Sequence, residues 1–141
     1  MPSIRRTELL TVAVLTLVSI ATVLILPRGV RPGLTGAFWN NAEQSGPPVV
    51  RAVGAVPSTA DLAQRRRELG RGAISAEWMG FLAVEQAGVC RFDLRSTGTS
   101  ELYIDDVLVV SAADSPATAS GSAEIAAGAH RIRVRYAGAE E

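Results

Sequence analysis

The chain has 141 residues, with fourteen basic side chains against fourteen acidic ones and a net charge of zero. That length suits one domain, and the charge balance removes any global attraction to nucleic acid, so no nucleic-acid partner is expected. One cysteine, Cys90, and one histidine, His130, exclude an intramolecular disulfide and a Cys/His zinc site, which needs about three or four such ligands. Every basic residue is arginine, a bias typical of GC-rich, bacterial genomes.

Arg5 and Arg6 precede an uncharged run over residues 9–26, which Pro27 and Arg28 end. As a helix this run reaches about 27 Å, close to the roughly 30 Å of a bilayer's hydrocarbon core. A cleaved signal peptide would have a shorter apolar core, about 7–15 residues, and small residues at its cleavage site. Here the run leads into Pro27-Arg28-Gly29-Val30-Arg31-Pro32 instead. The expectation is a single transmembrane helix over 9–26, a cytoplasmic N-terminus over 1–8 and a turn-rich linker over 27–33. Arginines flank both ends, so the positive-inside bias is nearly balanced. The orientation rests on the extracytoplasmic character of the domain C-terminal to the linker, which puts that domain on the periplasmic or extracellular side. Thr11, Thr16, Ser19 and Thr22 fall within less than half of the helix circumference. They either present a small-residue face to another integral membrane protein or bond their own backbone carbonyls.

Gly46-Pro47-Pro48 marks a break. Pro57-Ser58-Thr59-Ala60-Asp61 reads as a helix start, with Ser58 as N-cap and Asp61 three residues on. A short helix is expected over Leu62–Leu69, and Gly70 is its stop. Arg65-Arg66-Arg67 would then point in different directions instead of forming one patch. From residue 74 the period becomes two. Cys90, Phe92 and Leu94 alternate with Arg91, Asp93 and Arg95, and Ile132, Val134 and Tyr136 alternate with Arg131, Arg133 and Arg135, the pattern of strands with one dry and one wet face. Glu101 to Val110 reads as a hairpin turning at Asp105-Asp106, which tolerate left-handed backbone. Leu102 and Ile104 would share a face with Val107 and Val109, with Tyr103 and Leu108 opposite. Residues 111–122 read as a loop, and Gly128 turns a strand around Ile125 into one around Ile132. Several short strands joined by turns predict an all-β antiparallel sandwich or barrel over 34–141.

The order of these motifs resembles the protective-antigen-type (PA14) family. The pieces are Gly33-Leu34-Thr35-Gly36-Ala37-Phe38-Trp39, Ala76-Glu77-Trp78-Met79-Gly80-Phe81-Leu82, Gly88-Val89-Cys90-Arg91-Phe92, Leu102-Tyr103-Ile104-Asp105-Asp106, and the stretch from Ala127 to Tyr136. The resemblance covers nearly all of 33–137. It implies a sandwich outside the cytoplasm and a carbohydrate-related role. The pattern departs in three places. The chain stops at Glu141, where the family usually adds a strand, so the domain is either shortened or part of something longer. Segment 57–72 is altered, and Asp106 stands where the turn glycine is usual.

The resemblance also bears on ligands. Adhesins of the family hold a sugar through calcium on two adjacent aspartates with an asparagine nearby, which here points to Asp105 and Asp106, with Asn40, Asn41 or Asp114 completing the six to eight oxygens calcium takes. Calcium is the only cofactor suggested. The plainer reading of the aspartate pair is a solvated turn. Arg131, Arg133 and Arg135 form a basic stripe that either meets anionic sugars, lipid headgroups or a partner, or is neutralised by acids on the next strand. Trp39, Trp78 and Phe81 are either sugar-stacking platforms or core, with Trp78 the expected core centre. Cys90 is expected to be a buried, inert thiol. Nothing resembles a nucleophile elbow around His130, and no catalysis by this chain is expected. The sequence leads to a membrane-tethered module that binds glycans or a partner. Its rivals are an accessory subunit of a membrane complex and the N-terminal part of a membrane glycosyltransferase or other envelope enzyme.

Overall fold

A computed structural model of the chain describes residues 33–113 and 117–138. The expected membrane helix, its Thr11, Thr16, Ser19 and Thr22 face, and Asp114 lie outside the described residues. Among the described residues no helix is long and apolar enough to cross a membrane.

Among the described residues, eight strands and one helix succeed one another as β1 (Leu34–Trp39), β2 (Val50–Ala55), α1 (Thr59–Leu69), β3 (Ile74–Val84), β4 (Gly88–Ser96), β5 (Thr99–Ile104), β6 (Val107–Ala112), β7 (Ala117–Ile125) and β8 (Gly128–Gly138). All pairings are antiparallel. Six strands form one sheet in the order β2-β1-β3-β8-β5-β6, and β4 pairs with β7 in a two-stranded ribbon. The all-β antiparallel architecture is therefore as expected.

The helix begins as its sequence dictates. The Ser58 hydroxyl accepts the Asp61 amide at 3.1 Å, and Gly70 closes the far end at φ 81°. It starts at Thr59, three residues ahead of the expected Leu62. Arg65 pairs with Asp61 at 3.1 Å and lies 4.7 Å over the Phe38 ring, whereas Arg66 donates to the Gly72 carbonyl at 3.0 Å. The three arginines diverge, as helical spacing requires.

The core lies on the inner face of the large sheet. Trp78 and Phe38 meet edge to face, with ring centroids 5.6 Å apart at 89°, the geometry that aromatic quadrupoles favour. Leu62 and Leu69 of α1 close over one half of this face, and Ile125 with the half-buried Cys90, Phe92 and Leu94 of the ribbon close over the other. Cys90 is thus half-buried, contrary to the expected burial, because the ribbon is too narrow to enclose its inner side chains fully.

Three features differ from the sequence expectations. β2 forms an edge strand in a stretch with no expected element. Residues 117–125, expected mostly as loop, form the nine-residue β7. Ala117, Ala119, Gly121, Ala123 and Ile125 alternate inward against Thr118, Ser120, Ser122 and Glu124; the period is two, but the side chains are too small to advertise a strand. Small residues are what the packing demands. A Cβ on Gly121 would collide with the Val109 carbonyl oxygen and lie 2.8 Å from Val110 Cγ2. Finally, the β5–β6 ladder shifts register beyond Leu102, so that Leu102 faces Val110 while Tyr103 faces Leu108. The bulge transfers the buried phase to Val110 and Ala112, and leaves Val107 66% exposed, where strict alternation placed Val107 inside.

Replacing Gly121 by alanine is expected to lower the unfolding free energy by about 1–3 kcal/mol. Ser122→Ala, on the wet side of the same strand, should stay within about 0.5 kcal/mol of the parent. Urea denaturation of the full chain checks both, and an unchanged midpoint for Gly121→Ala would refute the close approach of β7 to β6.

Candidate ligand-binding face

The outer face of the large sheet is set by strand pairing. Directly opposed residues share a face, so one line runs across all six strands through Val53, Thr35, Met79, Arg133, Tyr103 and Leu108. Val53, Met79 and Leu108 on this line are exposed. In its middle, Arg133 lies 4.5 Å over the Tyr103 ring, and the Tyr103 hydroxyl donates to Glu101 at 2.8 Å. That bond, together with burial, holds the phenol above its ordinary 10.0. Two residues along β3, Phe81 stands opposite Arg131. Phe81 is 75% exposed. Of the two tryptophans, two tyrosines and three phenylalanines, it is the only one open to solvent.

The other two aromatic candidates are structural. Trp78 is 2% exposed and is the core centre expected of it. Trp39 is 9% exposed, and its indole donates to the Gly46 carbonyl at 2.9 Å. A signal for this division was present: Phe81 lies three residues from Trp78, an odd offset that must place the two on opposite faces of a strand.

The β5–β6 turn borders Phe81 through Arg131. Asp105 and Asp106 occupy its two central positions at φ 49° and 66°, the left-handed pair of a type I′ hairpin. The Arg131 amide donates to Asp105 Oδ1 at 2.8 Å, and the Asp105 amide donates to the Arg131 carbonyl at 2.9 Å. His130 Nδ1 lies 2.6 Å from Asp105 Oδ2, and Nε2 lies 2.9 Å from the Ala126 carbonyl. Both ring nitrogens face acceptors, which suits the imidazolium, a donor at each nitrogen. Accordingly the bond to Asp105 holds His130 above its ordinary 6.5, opposed by desolvation and aided by the Ala126 carbonyl. The same bond, then the Arg131 amide, holds Asp105 below its ordinary 3.8. Asp106 receives Arg131 at 3.1 Å and Arg133 at 3.6 Å. On the inner side of this turn a cleft of about 200 Å³ opens between the hairpin and β7, with Val107, Val109, Glu124 and His130 among its walls.

The basic stripe is neutralised along its length. Besides the contacts above, Arg135 donates twice to Gln44 Oε1, at 2.8 and 3.1 Å, and lies 3.9 Å from Glu77 and 3.8 Å from Glu101. Arg131 keeps the most exposed side chain of the three, at 59%.

Among the described residues the suggested calcium ligands Asn40, Asn41, Asp105 and Asp106 do not come together. Asn41 Oδ1 accepts the Ser45 amide, and the Asn41 carbonyl accepts the Ser75 hydroxyl at 2.6 Å. Ser75 and Phe81 are six residues apart on β3, about 20 Å in an extended strand, and Asp105 sits beside the Phe81 end. Asn40 and Asn41 therefore lie at the opposite end of the sheet from Asp105 and Asp106. Among the described residues no three of His, Cys, Asp and Glu are grouped to hold a metal ion. What the turn offers instead is carboxylates and a guanidinium already oriented beside an open aromatic ring, an arrangement that can stack a ligand and hydrogen-bond its edge.

A family model described as the PA14 domain matches residues 30–141. No curated protein matches the chain. Among solved structures, an anti-sigma factor domain-containing protein is similar with a TM-score of 0.67 and 24% identity, over 80% of this chain and 40% of that one. A β-glucosidase from Kluyveromyces marxianus, in complex with glucose, is similar with a TM-score of 0.55 and 15% identity, over 74% of this chain and 14% of the enzyme. A GH31 α-xylosidase from Xanthomonas citri is similar with a TM-score of 0.57 and 20% identity, over 79% of this chain and 14% of the enzyme. These likenesses show a shared fold, and this chain spans well under half the length of each of these proteins.

The raised His130 pKa contributes stability that is complete below pH 6.5 and is lost as pH rises through the folded value. The lowered Asp105 pKa contributes stability that is present above pH 3.8 and is lost as pH falls through the folded value. The pair is therefore at full strength between those limits. In an NMR titration Asp105→Asn should bring the His130 midpoint down from its parent value, and its stability deficit should shrink as pH rises past the parent midpoint. An unmoved midpoint would mean the pair does not form in solution.

Proposed function

This chain belongs to the PA14 domain family, and we propose that it is a non-catalytic glycan-binding module tethered to a membrane by the apolar run over residues 9–26. The observation that carries the reading is Phe81: a ring 75% exposed, set opposite Arg131 on the neighbouring strand, with Asp106 held 3.1 Å from that arginine. A sugar presents an apolar C–H face and a polar rim. An open ring supplies the stacking surface, and the Arg131–Asp106 pair supplies donors and acceptors at its edge. The occurrence of the same fold within a β-glucosidase and an α-xylosidase supports a role on carbohydrate-bearing surfaces.

A non-catalytic role agrees with the titratable groups. Asp105 stays ionised because His130 and the Arg131 amide hold its pKa down, so it is a poor general acid. His130 has both ring nitrogens committed, to Asp105 and to the Ala126 carbonyl, so neither is free to take a proton from a substrate.

A second reading, an accessory subunit of a membrane complex, draws on the exposed Val53, Met79 and Leu108 of the same face, which a protein partner could cover. In that case Phe81 would be one interface contact among several, and extraction in mild detergent would bring down a stoichiometric partner.

The test is retention of the full chain, in mild detergent, on an immobilised glycan array. Phe81→Ala should abolish retention with the folded far-UV spectrum and melting temperature unchanged, and Arg131→Gln should weaken it about tenfold, the equivalent of about 1.4 kcal/mol. Chelation by EDTA should leave it intact, since Asn40 and Asn41 stand away from the aspartate pair. Retention equal to the parent in Phe81→Ala would reject this site.

A further inference from the structure

The chain enters the domain beside Phe81. Gly33 packs so closely on β2 that a Cβ there would lie 2.7 Å from the Gly54 Cα, and Leu34 lies against Gly80, where a Cβ would come 2.6 Å from Leu34 Cδ2. Phe81 follows Gly80 on β3, next to β1, and neighbouring strands are about 5 Å apart. Residues 27–33 lead to this point from the apolar run over 9–26. Seven residues span at most about 25 Å. An anchor in that run therefore keeps Phe81 within about 30 Å of the hydrocarbon edge, and the polar headgroup layer fills about 5–8 Å of that distance.

Among the described residues the exposed large apolar side chains gather toward the same end. Val56 follows Ala55, which pairs with Leu34; Val107 pairs with Ile104 at the hairpin turn; and Val89 stands at the start of β4. With Phe81 they are 64–75% exposed. Val53, Met79 and Leu108 lie on the middle line, and Val49 stands at the far end, its amide on the Phe38 carbonyl. Toward that far end the outer face turns polar, where Arg135 meets Gln44, Glu77 and Glu101. A sugar stacked on Phe81 beside Arg131 leaves Val56, Val89 and Val107 in water, whereas a lipid surface at this end covers them. Glu85 and Glu124, exposed at the same end, offset Arg131 and remove attraction to anionic lipid. The Phe81 site is itself an open face with one ring and one ion pair, so it holds a glycan in free solution weakly. Confining site and ligand to one membrane supplies an effective concentration on the order of mM. We propose that the ligand of the Phe81 face is the neutral sugar headgroup of a glycolipid in the bilayer that anchors this chain. The proposal rests on the membrane-tethered glycan-binding reading above and narrows it to ligands of the same leaflet.

Two variants of the full chain, reconstituted in phosphatidylcholine vesicles, report the orientation. Trp39 and Trp78 are buried and give a constant background. Lipid carrying a nitroxide on its headgroup should quench the emission added by Phe81→Trp and spare that added by Val49→Trp. Equal quenching of the two, or none in Phe81→Trp, would show that the Phe81 end does not face the bilayer and overturns the proposal. Adding monoglucosyl-, monogalactosyl- or monomannosyl-diacylglycerol to the vesicles should shift the Phe81→Trp emission saturably for at least one of these lipids. Half-saturation should come at a bulk concentration at least about a hundredfold below that of the matching methyl glycoside in solution, and Arg131→Gln should raise it. Half-saturation at equal concentrations would overturn the membrane source of the ligand and leave the Phe81 site standing. No response to any of the three lipids also overturns the proposal; retention of the parent chain on the glycan array would then keep the Phe81 site for soluble glycans, and its failure would remove both.

Discussion

The register of β3 against β8 is the constraint on which the rest of this domain depends. Eleven residue pairs run from Ile74 opposite Gly138 to Val84 opposite Gly128, through the middle of the six-stranded sheet. The register sends Trp78, Val134 and Ile132 inward and Met79, Phe81 and the three arginines outward. A slip of one residue would exchange the two sets, placing guanidinium groups against the ribbon and Trp78 in water. Burial of Trp78 against Phe38, of Leu62 and Leu69 against that pair, and of the ribbon over Leu102 and Val110 all select the same register. The core and the candidate face are two sides of one alignment.

The two faces are covered in different ways. Inside, α1 and the β4–β7 ribbon divide the sheet between them, and β7 approaches so closely that only small side chains fit beneath it. Outside, the connection between β1 and β2 crosses one end of the sheet, where the Asn41 carbonyl takes the Ser75 hydroxyl and the Gly46 carbonyl the Trp39 indole, and no strand or helix among the described residues covers the end that holds Phe81. Its arginines are instead distributed among Asp106, Tyr103, Gln44, Glu77 and Glu101. Neutralising the stripe lets three like charges stand on one strand, and leaves Phe81, Met79, Val53 and Leu108 as the apolar surface exposed among them.

The hairpin turn ties these sides together at one end. Asp105 bonds across to β8 through the Arg131 amide and to His130, and His130 in turn reaches the Ala126 carbonyl between β7 and β8. One carboxylate thereby fixes the β5–β6 turn, the start of β8 and the preceding bend. This is why the pair of aspartates reads as a binding motif in sequence and acts as a brace in the fold. The φ values of both residues are positive, a conformation that aspartate tolerates better than most residues. The aspartate at the usual glycine position, Asp106, also gives Arg131 and Arg133 their acidic partner.

What the sequence by itself determined was local. Ser58 and Gly70 bound the helix, the alternation in β4 and β8 separates dry from wet residues, and Asp105-Asp106 makes the turn; each depends on backbone preferences or near neighbours alone. The odd spacing between Trp78 and Phe81 likewise assigned them opposite faces once a strand was granted. Only the tertiary structure decided which face was the interior, since that depends on where α1 and the ribbon settle. It made strands of Val50–Ala55 and Ala117–Ile125, where weak side-chain signals are outweighed by ladder pairing and close packing. It moved the buried phase of β6 by one residue through a bulge, and it separated Asn40 and Asn41 from Asp105 by the length of the sheet. Proximity between distant segments is set by strand order and register, which no local pattern of side chains encodes.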